Sequence, residues 1–161
     1  MGDCGKNPDS VLFVCLGNIC RSPLAEGVFR HLAGERRLAC LADSAGTGAW
    51  HAGNPPDARS VAVAAAHGID ISGQRARQVT PQDFHRHGLI LAMDRSNLAN
   101  LERMRPVGSP AALALYLHHT LGEERDVPDP YYGGRDGFEH VYRLIREASA
   151  ALADRLEGFS G

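Results

Sequence analysis

The stretch Val11-Leu12-Phe13-Val14-Cys15-Leu16-Gly17-Asn18-Ile19-Cys20-Arg21-Ser22-Pro23 passes from an apolar run through a glycine-broken loop into a helix start. Val11 to Leu16 is rich in β-favouring residues and long enough for a buried strand. Gly17 and Asn18 end it. Ser22 can cap the next helix, and Pro23 suits a first helical position. Leu24, Val28 and Leu32 recur at four-residue spacing, which predicts a helix to about Arg37. Glu26 falls one place too late for a capping box.

Outward from this stretch, strands and helices alternate. Ala39 to Ser44 reads as a second strand, followed by a glycine-broken stretch to Gly53. Pro55-Pro56 precede a helix from Asp57 to His67, closed by Gly68. Thr80-Pro81 starts a short helix. Leu89 to Met93 reads as a third strand, Ser96 to Arg103 as a helix, and Leu113 to Leu117 as a fourth strand. Residues 122–137 carry Asp, Pro and Gly and read as a loop before a long helix from Phe138 to Leu156. Such alternation requires parallel pairing. It predicts a single-domain α/β fold with a parallel sheet of about four strands and helices on both faces. Ligands in such sheets bind beyond the carboxyl ends of the strands, where the Cys15–Ser22 loop emerges.

The chain has 161 residues and a net charge of −2, with Lys6 its one lysine among 17 basic residues. No basic block stands out, which argues against nucleic-acid binding. The longest apolar run, Ala111 to Leu117, is far shorter than the roughly 20 residues of a membrane helix. Residues 1–10 are polar, lack the apolar core of a secretory signal, and read as a leader before a domain at 11–158. The expected location is the cytoplasm. Cys4, Cys15, Cys20 and Cys40 form no C-x-x-C pair, and in a cytosolic chain they are read as free thiols. Cys40 is expected buried in the second strand and Cys4 exposed. His85-Arg86-His87 and His118-His119 lack metal-ligand spacing, so no metal or other cofactor is expected.

Five residues separate Cys15 from Arg21. That length can wrap a semicircle whose backbone N–H groups point inward, and Gly17 permits the left-handed backbone such a curl needs. Inward N–H groups beside a helix N-terminus make an anion site. Arg21 adds a planar fork that matches two phosphate oxygens. The same surroundings favour the thiolate of Cys15 and set a nucleophile against phosphorus. C-x5-R alone is a weak signal; Ser22 next to it, the preceding strand and the following helix narrow it.

Cys15-Leu16-Gly17-Asn18-Ile19-Cys20-Arg21-Ser22-Pro23 resembles the signature loop of low-molecular-weight protein tyrosine phosphatases, and Asp129-Pro130-Tyr131-Tyr132-Gly133 resembles their general-acid loop. Asp43-Ser44-Ala45-Gly46-Thr47, Trp50-His51, His67-Gly68-Ile69 and Met93-Asp94 lie between them in the family's order. The resemblance spans about Val11 to Leu156. It implies a flavodoxin-like sheet, a phosphocysteine intermediate and no metal. It also implies Cys15 as nucleophile, Arg21 as phosphate clamp and Asp129 as the acid that protonates the leaving tyrosyl oxygen. Leu16, Gly17, Asn18, Ile19, Cys20 and Ser22 complete the phosphate-binding loop. Trp50, Tyr131 and Tyr132 would wall a slot for an aryl ring, deep enough to favour phosphotyrosine over phosphoserine. Asn18 and Ser44 support the loop through side-chain hydrogen bonds to its backbone, and His67 either supports it or lies at a helix C-terminus. Ser22 either caps the helix or donates to the Cys15 sulfur. Cys20 either protects an oxidised Cys15 through a disulfide or is a small loop side chain. Asp126 lacks the Pro-Tyr-Tyr context and reads as a loop residue.

The expected partners are a phosphotyrosine protein and an oxyanion such as inorganic phosphate, bound by a monomer. Three other readings fit the residues less well. An arsenate reductase needs further cysteines, and none follows Cys40. An inactive phosphate-binding module is expected to lose Cys15, Arg21 or Asp129. A protein-interaction domain with incidental thiols predicts no saturable hydrolysis of aryl phosphates.

Overall fold

The structure, a computed structural model, describes residues 10–130 and 135–160. Four strands, β1 (Ser10–Cys15), β2 (Leu41–Gly46), β3 (Leu89–Ala92) and β4 (Ala112–Leu115), form one sheet in the order β2-β1-β3-β4. All three pairings are parallel. Parallel neighbours cannot be joined by a tight turn, so each crossover carries helix. These are α1 (Arg21–Glu35), α2 (Ala58–Ala66), α3 (Asp83–Arg86) and α4 (Arg95–Met104). After β4 come α5 (Tyr116–Leu121) and the long α6 (Arg135–Ser160).

β1 is buried along its whole length because both sheet faces are covered. Val11, Phe13 and Cys15 point into one core with Leu24 and Val28 of α1 and Val141, Ile145 and Leu152 of α6. Leu12 and Val14 point into the other, with Phe84 of α3 and Leu101 of α4. The period-2 alternation of side chains thus feeds two cores from one apolar run. The Phe13 ring lies 5.9 Å from that of Phe29 and meets Tyr116 edge-on at 5.4 Å.

The chain leaves β1 toward β2 on one side and later returns to β3 on the other. The carboxyl end of β1 is therefore a topological switch point, where an open α/β sheet leaves a crevice for ligand. The Leu16–Cys20 loop occupies it. No helix among the described residues is long and apolar enough to cross a membrane.

Several boundaries differ from the sequence expectation. Ser10, assigned to the leader, is the first residue of β1. The fourth strand stops at Leu115 instead of Leu117, and α5 follows at once. Tyr116 and Leu117 are buried in either geometry, so an apolar run could not separate strand from helix there. Gly122 then ends α5 with a left-handed φ of 73°. The last helix starts inside the expected 122–137 loop, at Arg135. Cys40 precedes β2 and is only half-buried, because β2 begins one residue later than a buried Cys40 requires. Cys4 lies outside the described residues.

Replacing Phe13 by Ala should remove a ring that packs against both α1 and α5 on one face of the sheet. The expected loss is about 3–5 kcal/mol of unfolding free energy, read by denaturant titration.

Candidate active site

The loop from Cys15 to Arg21 is held open from outside. Its carbonyls are taken by neighbours: Thr47 N–H donates to Cys15 O at 2.9 Å, Gly48 N–H to Leu16 O at 2.9 Å, and Asp57 N–H to Ile19 O at 2.8 Å. The Ser60 hydroxyl donates to Cys20 O at 3.3 Å. A curl whose carbonyls face outward turns its N–H groups inward, which is the anion-binding arrangement. Gly46 at the end of β2 makes room for it. A Cβ there would lie 2.6 Å from Leu16 O and 3.1 Å from Gly17 C.

The left-handed residue of the curl is Asn18, at φ 59°, and not Gly17 as its sequence suggested. Asn tolerates that conformation when its side chain hydrogen-bonds locally. Here the amide Nδ2 donates to Ser22 Oγ at 2.8 Å and Ser44 Oγ at 3.0 Å, while Oδ1 accepts from Arg77 N–H at 3.0 Å. Gly17 has a different reason to be small: a Cβ there would come within 2.9 Å of the His51 ring.

Cys15 Sγ is buried at the loop's centre. It lies 3.0 Å from Ser22 Oγ and accepts from Asn18 N–H at 3.2 Å. The helix α1 starts at Arg21 with Cys20 as N-cap and no capping side chain. Ser22 is therefore inside the helix and turned to the sulfur, so its capping role falls away. Pro23 sits in the third helical position, not the first.

Arg21 is only 3% exposed. Its Nη1 donates to Asp94 Oδ2 at 2.8 Å and to Val127 O at 2.9 Å, and its Nη2 lies 3.7 Å from Asp129 Oδ2. Burial opposes the guanidinium charge, but the Cys15 sulfur, Asp94 and Asp129 outweigh it and push its pKa above the ordinary arginine value. Asp94, to which the sequence reading gave no role, also caps α4 by accepting from Asn97 N–H at 2.7 Å. Its position directly after a buried strand and before a helix was the available signal.

Asp129 is exposed at the mouth of the site, beside the buried Pro130. Its loop is tied to the end of β3 and the start of α4 as well as to Arg21. Val127 N–H donates to Met93 O at 2.8 Å, and Asp126 Oδ1 accepts from Arg95 N–H at 3.0 Å. Cys15, Leu16, Gly17, Ile19, Cys20, Arg21, Trp50, His51 and Asp129 together line one cleft of about 270 Å³. Leu16 and Trp50 stand out at its rim, 44% and 74% exposed. Tyr131 and Tyr132 lie outside the described residues. His51 also lines the cleft and was given no role from sequence. Burial, with Asp57, Cys15 and Asp129 nearby, pushes the Cys20 thiol up to about 12, so it stays protonated at neutral pH.

Ser44 passes its own hydrogen on to Glu26 Oε1 at 2.8 Å. Glu26, a buried carboxylate missed from sequence, has its pKa raised by burial against the pull of Ser44 and Arg30. His67 does not reach the loop. It ends α2, stacks on Tyr142 with ring centres 3.9 Å apart, and places Nε2 3.1 Å from Glu139 Oε2. The α2–α6 packing thus uses His67 and removes it from the loop-support set.

Gly46→Ala should push Cβ into Leu16 O and deform the ring. We expect weaker binding of vanadate or phosphate by at least about tenfold in calorimetry, an energy of about 1.4 kcal/mol. Gly34→Ala, with open space around its Cβ, should leave binding unchanged and raise stability by about 0.5–1 kcal/mol.

The sequence model of the family described as "Low molecular weight phosphotyrosine protein phosphatase" matches residues 10–158. A "Low molecular weight protein-tyrosine-phosphatase" of Streptomyces coelicolor is 46% identical over 158 residues, covering 92% of this chain and 96% of the relative. The crystal structure of YfkJ from Bacillus subtilis superposes with a TM-score of 0.84 at 42% identity, covering 92% of this chain and 94% of that one. DARP, a drosophila arginine phosphatase, superposes with a TM-score of 0.83 at 36% identity, covering 89% and 95%. With that match across its sheet, loop and acid segment, the chain belongs to the low molecular weight phosphotyrosine protein phosphatases, and its reaction is the hydrolysis of phosphotyrosine.

Proposed function

We propose that Cys15, Arg21 and Asp129 carry the phosphotyrosine hydrolysis of this family member. The observation that supports this most directly is that Asp129, far along the chain from the Cys15–Arg21 loop, lines one cleft with both of them. In the first step Cys15 Sγ attacks phosphorus. The phosphoryl oxygens lie among the loop N–H groups, and the Arg21 fork holds two of them as charge builds. Asp129 gives its proton to the departing tyrosyl oxygen. In the second step Asp129, now ionised, takes a proton from water, which attacks the phosphocysteine. Ser22 O–H steadies the sulfur as it leaves.

The rim supports an aryl substrate. Leu16, Ile19 and Trp50 are apolar walls, suited to the face of a phenyl ring. The arginine phosphatase among the structural relatives makes phosphoarginine the competing substrate. The reading extends to a monomeric cytoplasmic enzyme acting on phosphoproteins. Among the described residues the exposed large hydrophobics are Leu16, Leu41, Trp50 and Val107, and two of them belong to the cleft, which supports a free surface elsewhere.

The test is turnover of a phosphotyrosine peptide beside a phosphoarginine peptide. Cys15→Ser should abolish turnover while keeping oxyanion binding. Asp129→Asn should lower kcat for the tyrosine ester by about 10²–10⁴-fold, and much less for para-nitrophenyl phosphate, whose leaving group needs no proton. Faster turnover of phosphoarginine would reassign the substrate. Full activity in Cys15→Ser would remove the nucleophile.

A further inference from the structure

The hydrogen bonds around Asn18 have a direction, and two groups of fixed polarity set it. A backbone N–H can only donate, so Asn18 must turn its oxygen toward Arg77 N–H, 3.0 Å away. Its Nδ2 is then committed to Ser22 Oγ and Ser44 Oγ. Each serine oxygen receives a hydrogen and must send its own elsewhere. Ser44 sends its hydrogen to the Glu26 carboxylate, which when ionised can only accept. Ser22 sends its hydrogen to Cys15 Sγ, 3.0 Å away. Reversing the Asn18 amide would set two N–H groups face to face and leave both serines without a donor.

What holds Arg77 N–H in place lies on the far side of the segment. Arg77 O accepts from Gly46 N–H at 2.8 Å, and Gly46 O accepts from Val79 N–H at 2.8 Å, which pins 77–79 along the end of β2. The Arg77 guanidinium then grips Asp83 with both arms, at 3.0 and 2.9 Å, and reaches Asp43 of β2 at 2.9 Å. Asp83 is buried and also accepts from Thr80 N–H at 2.8 Å. Burial opposes its charge, but His87, Arg77 and Thr80 outweigh that and hold its carboxyl well below the usual range. An ionised, two-armed pair of this kind fixes geometry as well as charge.

We propose that Arg77 and Asp83 are positioning residues for the nucleophile: the ion pair of the part-buried Arg77 with the buried Asp83 holds the Arg77 N–H on Asn18 Oδ1, and so aims the Ser22 hydrogen at Cys15 Sγ. This inference rests on Cys15 being the nucleophile. It assigns a catalytic consequence to a pair that touches neither substrate nor sulfur.

The experiment follows alkylation of Cys15 by iodoacetamide against pH, read by mass spectrometry of the Cys15 peptide, beside kcat and KM and a thermal unfolding curve. Arg77→Met and Asp83→Asn should move the alkylation midpoint upward by about half a pH unit. They should also lower kcat about tenfold or more, with KM changed less than about threefold. Arg77→Lys keeps a charge and a long stem but loses the fork, and should fall between them and the native chain. A folded variant with the native alkylation profile and native kcat overturns the proposal, as does a lowered melting temperature with an unmoved profile. If Arg77→Met and Asp83→Asn fail to fold, Arg77→Lys decides by the same readouts. Alkylation needs no phosphate ester, so this result stands apart from the choice of substrate.

Discussion

The phosphate loop depends on keeping one residue, Asn18, in a backbone conformation that L side chains disfavour by about 1–2 kcal/mol. Three hydrogen bonds from its amide offset that strain. The remaining geometry follows from this corner. The left-handed turn brings Asn18 N–H back onto Cys15 Sγ, and it sends the chain into α1 with Arg21 as its first residue. Glycine would adopt the same φ with no strain but would carry no amide to join the two serines. The position therefore needs a side chain with both a donor and an acceptor, on a stem short enough to fold back.

The second dependency is a buried positive charge. A guanidinium removed from water is unfavourable unless compensated, and Arg21 is compensated from three directions by Asp94, the Val127 carbonyl and the Cys15 sulfur. These partners come from the cap of α4, from the acid loop and from β1, so the cation links elements that are distant in sequence. Its outer nitrogen faces Asp129 across 3.7 Å, so the clamp and the carboxyl lie within ion-pair reach of each other.

The fold was legible because its signals are local. The apolar run at β1, the four-residue stripe of α1 and the alternation of strand and helix each depend on near neighbours alone. So did the loop motif, whose cysteine and arginine are set by spacing. What escaped the sequence is what the fold brings together from afar. Asp94 is an ordinary helix cap until β3 places it beside Arg21. Glu26 looks like a surface helix residue until Ser44 of the edge strand covers it. His67 shows the reverse: its place in a familiar order suggested loop support, but the α2–α6 packing carries it to Tyr142. At Gly17 and Asn18 the composition pointed to the right turn and the wrong residue: glycine's freedom needs no partner, whereas the partners that let asparagine take that backbone, Ser44 and Arg77, arrive only with the fold.

The acid loop shares its anchor with the cation. Val127 bonds to Met93, the next residue holds Arg21, and Asp126 fastens the start of α4. Proton donor and phosphate clamp are thus mounted on one end of β3, as two tools on a single post. Thermal displacement of that post moves them together and preserves their spacing, so the entropy of bringing them into alignment is removed during folding and not at each turnover. A scaffold of this kind can hold its catalytic distances without a closing lid. Its cleft can then stay open to a tyrosine presented on the surface of another protein.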